Sequence, residues 1–161
     1  VNKGVMQQPT LKKVSSSHVD KGIRILSEKT SEIMCKLMYM IVAYGRSKKA
    51  RVMGYEVGGK TGTANQISGR SYQEGTNMTS FVGVFPMSHP QYIVYIMVDR
   101  PQAIKETYGF NAAGWNAAPI GGNVIRRSAP LLQVVPIKEG RKEPEESPMF
   151  IHASAPNREG H

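Results

Sequence analysis

Four consecutive residues, Lys60-Thr61-Gly62-Thr63, carry the side chains best suited to chemistry. The lysine supplies a fixed positive charge and the threonines two hydroxyls, while the glycine leaves a gap where another chain can lie close. The flanks Val57-Gly58-Gly59 and Ala64 make residues 57–64 an extended strand. Alternation then places Lys60 and Gly62 on one side and Thr61 and Thr63 on the other. At a sheet edge, such a strand pairs with an extended peptide through its backbone and holds a carboxylate at the peptide's end. For a bare Lys-Thr-Gly a surface strand with an exposed lysine is the better reading, so the flanks decide between the two.

The same residues complete a different pattern. Gly54 to Thr61 fits G-x-x-x-x-G-K-[ST], the phosphate-cradling loop of nucleotide hydrolases, and Tyr92 to Asp99 is an apolar run ending in an acid. That loop needs a buried strand before it and a helix directly after its Lys-Thr, because the helix N-terminus holds the phosphates. Here the short cationic run Lys48-Lys49-Ala50-Arg51-Val52-Met53 precedes it. Gly62-Thr63-Ala64-Asn65-Gln66-Ile67-Ser68-Gly69 follows, with no helical stripe. Nucleotide binding through Gly54–Thr61 is therefore the lesser alternative.

The elements that position this strand read as follows. Residues 1–10 form a loop leading to an extended stretch at Leu11–Val14, then a polar turn over Ser15–Gly22 and a short strand over Gly22–Leu26. Ser27 is a helix N-cap, its hydroxyl free to accept a first-turn N–H, and Glu28 suits the positive end of the helix. The helix spans 28–44, with Ile33, Leu37, Met40, Ile41 and Tyr44 as its inward stripe and Cys35 as a buried core residue. Met78–Phe85 and Gln91–Asp99 are strands joined by Pro86-Met87-Ser88-His89-Pro90, hence an antiparallel hairpin. The unbroken Tyr-Ile-Val-Tyr-Ile-Met-Val run predicts a second strand covered on both faces. Asn116 caps a further helix whose inner face is Ile120, Val124, Ser128, Leu131 and Leu132. Gly121-Gly122 lets backbone approach backbone there, and Pro130 kinks or ends the helix.

Composition bounds the function classes. The chain has 161 residues, 40% of them hydrophobic and 20% charged, enough for one globular domain. The net charge is +9, of which residues 1–137 carry +10 and the tail −1. A basic surface suits nucleic acid, anionic membrane or a carboxylate-rich polymer. Nucleic acid is disfavoured, because the densest basic run, Arg46–Arg51, has no aromatic residue to stack bases. The single cysteine excludes an internal disulfide and a multi-cysteine metal site, and no metal or cofactor is expected. No apolar run reaches the roughly 18–20 residues of a membrane span. The chain opens Val1-Asn2-Lys3-Gly4 and reads as a piece of a longer product. The expected division is a folded unit over 1–137 and a disordered tail over 138–161.

Lys-Thr-Gly is one of three motifs of penicillin-binding proteins and serine β-lactamases, beside S-x-x-K and S-x-N. Around it the chain resembles class B penicillin-binding proteins over about residues 1–136. Val1-Asn2-Lys3-Gly4 with Pro9-Thr10-Leu11 resembles an N-x-G…P-T-L stretch, and Gly54-Tyr55 to Ala64 resembles G-Y-x-V-x-G-K-T-G-T-A. Thr79-Ser80-Phe81-Val82-Gly83-x-Phe85-Pro86 and Val98-Asp99-x-Pro101 resemble the next two strands. Gly114-Trp115-Asn116-Ala117-Ala118-Pro119 resembles the start of the C-terminal helix. The pattern is most similar to the division-specific, septal transpeptidase.

The resemblance implies an α+β fold, the C-terminal portion of a transpeptidase domain in which an antiparallel sheet is flanked by helices. It implies a peptidoglycan D,D-transpeptidase: a serine attacks the D-Ala-D-Ala bond of a stem peptide, and a neighbouring stem peptide takes the acyl group. β-Lactams mimic the donor. Lys60 would give electrostatic support and proton-relay contact. Thr61 and Thr63 would bind the carboxylate, Gly62 would leave room, and the Thr63 N–H would be an oxyanion donor. No serine in the chain has a lysine three residues on, and there is no S-x-N, so the nucleophile is expected upstream in a longer parent and the piece alone is expected to be inactive. The parent would be anchored in the inner membrane with this part soluble on the periplasmic side, working with division proteins. A non-catalytic sensor of β-lactams or wall peptides is the other outcome. With two family strands missing beyond Gln91–Asp99, that edge would be bare and open to pairing with a second copy.

Overall fold

The structure, a computed structural model, describes residues 2–11, 21–68 and 71–137, and side chains outside 66–76. The expected segment at 12–14, the turn residues 15–20 and the tail 138–161 lie outside the described residues. Strand β1 (Val5–Met6) pairs antiparallel with β2 (Ile23–Arg24). Helix α1 (Glu28–Ala43) follows, and then a 3-10 turn over Lys48–Ala50. Strands β3 (Gly58–Ser68), β4 (Ser71–Phe85) and β5 (Tyr92–Asp99) form one antiparallel sheet in the order β3-β4-β5. Helix α2 (Ala117–Leu131) is the last helix among the described residues. This is the α+β architecture expected from the sequence. Among the described residues no helix is long and apolar enough to cross a membrane.

The helix starts follow local chemistry. Ser27 Oγ accepts the Thr30 N–H at 3.1 Å, the N-cap bond its position predicts. Pro130 lies in the last turn of α2 and ends it, with Leu132 as C-cap. The hairpin turn between β4 and β5 is clamped by Glu56, on the segment entering β3. Its carboxylate accepts Ser88 N–H at 2.9 Å, and its backbone carbonyl accepts Met87 N–H at 2.9 Å.

The central strand β4 carries the core on both faces. Its odd-numbered residues Phe81 and Phe85 are fully buried in the cluster that holds Ala117, Ala118, Ile125 and Ala129 of α2. Its even-numbered Val84 packs with Cys35, Met38 and Tyr39 of α1 and with Met87. Strand alternation therefore puts the two helices on opposite faces of the sheet. The Phe81 ring sits in a slot walled by Gly59, Gly83 and Gly121. A Cβ added at any of the three would lie under 3.0 Å from the ring.

Three expectations about faces are corrected. On α1 the buried residues are Ser31, Cys35 and Val42, whereas Ile33, Leu37, Met40 and Tyr44 are exposed and Ile41 is half-buried. On α2 the buried face is Ala117, Ala118, Gly121, Gly122, Ile125 and Ala129, while Ile120, Val124, Leu131 and Leu132 point outward. The physical reason is common to both: a helix packing tightly on a sheet presents its small residues, because backbone separation is set by side-chain size. Among the described residues, strand β5 is covered on one face only. Tyr92, Val94, Ile96 and Val98 pack inward, while Ile93 (66%), Tyr95 (59%) and Met97 (57%) are exposed. Its unbroken apolar run does not mark two-sided burial among the described residues.

The β3–β4 hairpin is also longer than the sequence pattern indicated. It runs beyond Ala64 to the pair Ser68↔Ser71, with an irregular register between Asn65 and Ile67.

Candidate functional site

Among the described residues, strand β3 is the outer strand of the sheet, paired on one side with β4. Which of its backbone groups face outward follows from the ladder. Arg100 N–H donates to the Asn77 carbonyl at 2.9 Å, in register with the pair Met78↔Asp99. In an antiparallel ladder, hydrogen-bonded and non-bonded pairs alternate. Odd-numbered residues of β4 therefore bond toward β5 and even-numbered ones toward β3. The β3 partners of the even residues are Gly58, Lys60, Gly62 and Ala64. The N–H and C=O groups of Gly59, Thr61 and Thr63 consequently point to the open edge. Lys60 Nζ donates to the Thr61 carbonyl at 2.6 Å, in keeping with that carbonyl's outward direction.

Side chains divide between the faces. Thr61 pairs across the sheet with Phe81 and Thr63 with Thr79, both on the α2 face. Lys60 pairs with Val82 and Gly62 with Ser80, on the α1 face. Ser80 Oγ lies 2.7 Å from where a Gly62 Cβ would be, so the space left by that glycine adjoins a hydroxyl of the neighbouring strand. Lys60, Gly62 and Thr63 are exposed, and Thr61 is half-buried. Thr63 Oγ1 accepts the Ala113 N–H at 3.2 Å from the loop before α2. The edge thus offers two outward N–H groups, two hydroxyls and one amine within four residues. That set suits an extended peptide bearing a carboxylate.

The phosphate-loop pattern fails here for a structural reason. Gly54 sits in a turn with φ +79°, and Lys60 and Thr61 lie inside a strand, not at a helix N-terminus. Strand β5, which ends in Asp99, runs antiparallel to β4. Among the described residues no group of three or more His, Cys, Asp or Glu is placed to hold a metal ion.

Sequence reasoning missed the loop that flanks the edge. Phe110 stacks on Trp115 with ring centroids 5.3 Å apart, and Tyr108 meets the same indole edge-on at 5.7 Å. Lys49 Nζ lies 3.5 Å from the centre of the Trp115 ring. Asn116, read from the sequence as a helix cap, bonds Thr79 of β4 as well. The spacing of aromatics in Tyr108-Gly-Phe110 and Trp115 was the available signal.

Comparison with known proteins bears on the family and the fold. Residues 1–125 match the family described as "Penicillin binding protein transpeptidase domain". The chain is 38% identical over 143 residues to the probable peptidoglycan D,D-transpeptidase FtsI of Caulobacter vibrioides, covering 83% of this chain and 24% of that protein. It is 42% identical over 115 residues to the stage V sporulation protein D of Bacillus subtilis, covering 71% and 17%. The transpeptidase domain of Burkholderia pseudomallei penicillin-binding protein 3 superposes with a TM-score of 0.72 at 31% identity, covering 83% of this chain and 39% of that one. The chain therefore spans about a quarter or less of these two curated relatives. From the edge strand outward, in sequence and in fold, the chain belongs to the penicillin-binding protein transpeptidase family.

Proposed function

We propose that this chain forms the carboxylate-binding wall of a peptidoglycan D,D-transpeptidase, whose catalytic serine comes from a part of the protein outside these residues. The observation that carries this is the open β3 edge, where Thr61 and Thr63 turn their backbone groups outward beside Lys60. A donor stem peptide ending in D-Ala-D-Ala lies along that edge. Its carboxylate is held by the Thr61 and Thr63 hydroxyls, and Gly62 leaves room for it. The Thr63 N–H stabilises the oxyanion of the tetrahedral intermediate, a kind of contact worth about 3–4 kcal/mol in the transition state. Lys60 holds positive charge beside the nucleophile and relays its proton. The serine oxygen, its proton taken by a base outside these residues, bonds to the scissile carbonyl carbon. The C–N bond breaks and D-Ala leaves with a proton on its amine. An acceptor amine then bonds to the acyl carbon, and the serine oxygen leaves and is reprotonated. A β-lactam is opened by the same serine and stays attached. The FtsI name of the Caulobacter relative supports a septal role. A membrane-anchored parent with this part on the periplasmic side, working with division proteins, belongs to the same proposal.

Labelled penicillin tests this. In the complete protein, peptide mapping finds the label on a serine outside these residues, while the isolated 161-residue chain stays unlabelled. A covalent adduct on a serine of the isolated chain sinks the proposal.

We also propose that isolated copies of the chain pair along β5. Its outer edge is unpaired among the described residues, and Ile93, Tyr95 and Met97 stand exposed beside it. A free apolar edge of this kind templates strand addition. The net charge of +9 opposes it, so association rises with salt as that repulsion is screened. Sedimentation showing only monomer at high salt and high concentration contradicts it.

A further inference from the structure

The side chain of Asn116 uses its whole hydrogen-bonding capacity. Its Oδ1 accepts from the Thr79 hydroxyl at 2.5 Å and from Ala117 N–H at 2.6 Å. Its Nδ2 donates to the Asn111 carbonyl at 2.8 Å and to the Ala112 carbonyl at 3.1 Å. An amide has two donor hydrogens and two acceptor lone pairs, and all four are engaged. This is more than a cap. A capping asparagine ordinarily accepts from the second or third N–H of its helix, whereas Asn116 accepts from the first and turns its amino group on the loop before it.

Those bonds reach the candidate site. At one end stands Thr79, fully buried on the central strand. At the other, the tethered 111–112 segment presents the Ala113 N–H to Thr63 Oγ1 at 3.2 Å. Asn77 of β4 adds a second tie, Nδ2 to Asn111 Oδ1 at 3.2 Å. Thr63 and Thr79 are themselves cross-strand partners. The result is a closed ring running β3, β4, Asn116, loop and back to β3. A hydroxyl has one proton and two lone pairs. With Ala113 N–H occupying a lone pair, the Thr63 proton is left to be donated. A loop free to shift would instead let the hydroxyl rotate and offer a lone pair, which repels an anion.

We propose that Asn116 is a positioning residue, holding the 111–113 loop so that the Thr63 hydroxyl presents its proton to a ligand carboxylate. This rests on Thr63 being a carboxylate contact. Asn116→Asp separates the role from helix capping. Aspartate caps a helix as well as asparagine and keeps acceptors for Thr79 and Ala117, but it cannot donate to Asn111 and Ala112. In the 161-residue chain, N116D speeds hydrogen exchange of the Ala113 amide while α1 amides keep their rates. In the complete transpeptidase, N116D lowers the acylation rate by benzylpenicillin about 10-fold, as expected for one weakened hydrogen bond to a charged group. It leaves acylation by benzylpenicillin methyl ester, which has no carboxylate, unchanged.

Wild-type exchange of the Ala113 amide in N116D overturns the proposal whatever acylation does, because the new carboxylate beside Thr79 repels an anionic β-lactam even when the loop stays in place. Faster exchange with unchanged acylation, or equal losses with acid and ester, overturns it too. Thr63→Val is the separate control. If it reacts with benzylpenicillin like wild type, the carboxylate role of Thr63 itself falls, whatever N116D does.

Discussion

Lys60→Ala in the complete transpeptidase is expected to cut acylation by labelled penicillin about 10²–10³-fold, the size of effect seen when a preorganised electrostatic group is removed from a transition state. The fold should not notice. Lys60 is exposed, and its one described bond is to the Thr61 carbonyl on its own strand. Thermal unfolding of the variant should therefore match the wild type, since surface substitutions away from packed features stay within about 0.5 kcal/mol. Lys60→Arg keeps the charge but spreads it over a planar fork that does not occupy the same point. It should recover part of the rate and not all of it. A Lys60→Ala enzyme acylated at the wild-type rate would remove the lysine from the mechanism.

Phe81→Ala is expected to destabilise the isolated chain by about 3–5 kcal/mol, the usual cost of truncating a buried aromatic residue. Two features push it to the upper end. The ring is fully buried. Its slot is walled by Gly59, Gly83 and Gly121, which have no side chains to swing into the space it vacates. A domain with total stability of about 5–15 kcal/mol loses a large fraction of it. Urea unfolding checks this through the midpoint. Phe81→Leu keeps most of the volume and should lose clearly less. Phe81 is also the cross-strand partner of Thr61, so the cavity would open directly beneath the site. A truncation costing under about 1 kcal/mol would mean the slot collapses freely, against the close packing of protein interiors.

The site strand was legible because its cues are local. Alternation fixed the faces of Lys60, Thr61, Gly62 and Thr63, and the ladder keeps that division. Ser27 announced the start of α1 through a bond three residues long. The hairpin of β4 and β5 was readable from its proline-rich turn. Helix faces were not, because hydrophobic periodicity ranks large side chains while tight packing on a sheet selects small ones. The stripe from Ile33 to Tyr44 was periodic, and so was the Ser31, Cys35, Val42 face that is buried. The same holds for Ala118, Gly121, Gly122, Ile125 and Ala129 on α2. The large residues on the other faces of α1 and β5 have no cover among the described residues, and the chain spans 39% of the Burkholderia domain. The Asn116 ring escaped notice for a different reason. Its bond to Thr79 joins residues far apart in sequence, and no local pattern records such a pairing.

The most direct measurement is a crystal structure of the complete transpeptidase acylated by benzylpenicillin. The ligand carboxylate should lie within about 3 Å of the Thr61 and Thr63 hydroxyl oxygens, with the acyl oxygen on the Thr63 N–H at a similar hydrogen-bond distance. A carboxylate bound away from both threonines, with the acyl oxygen held by other donors, would contradict the assignment of this strand edge.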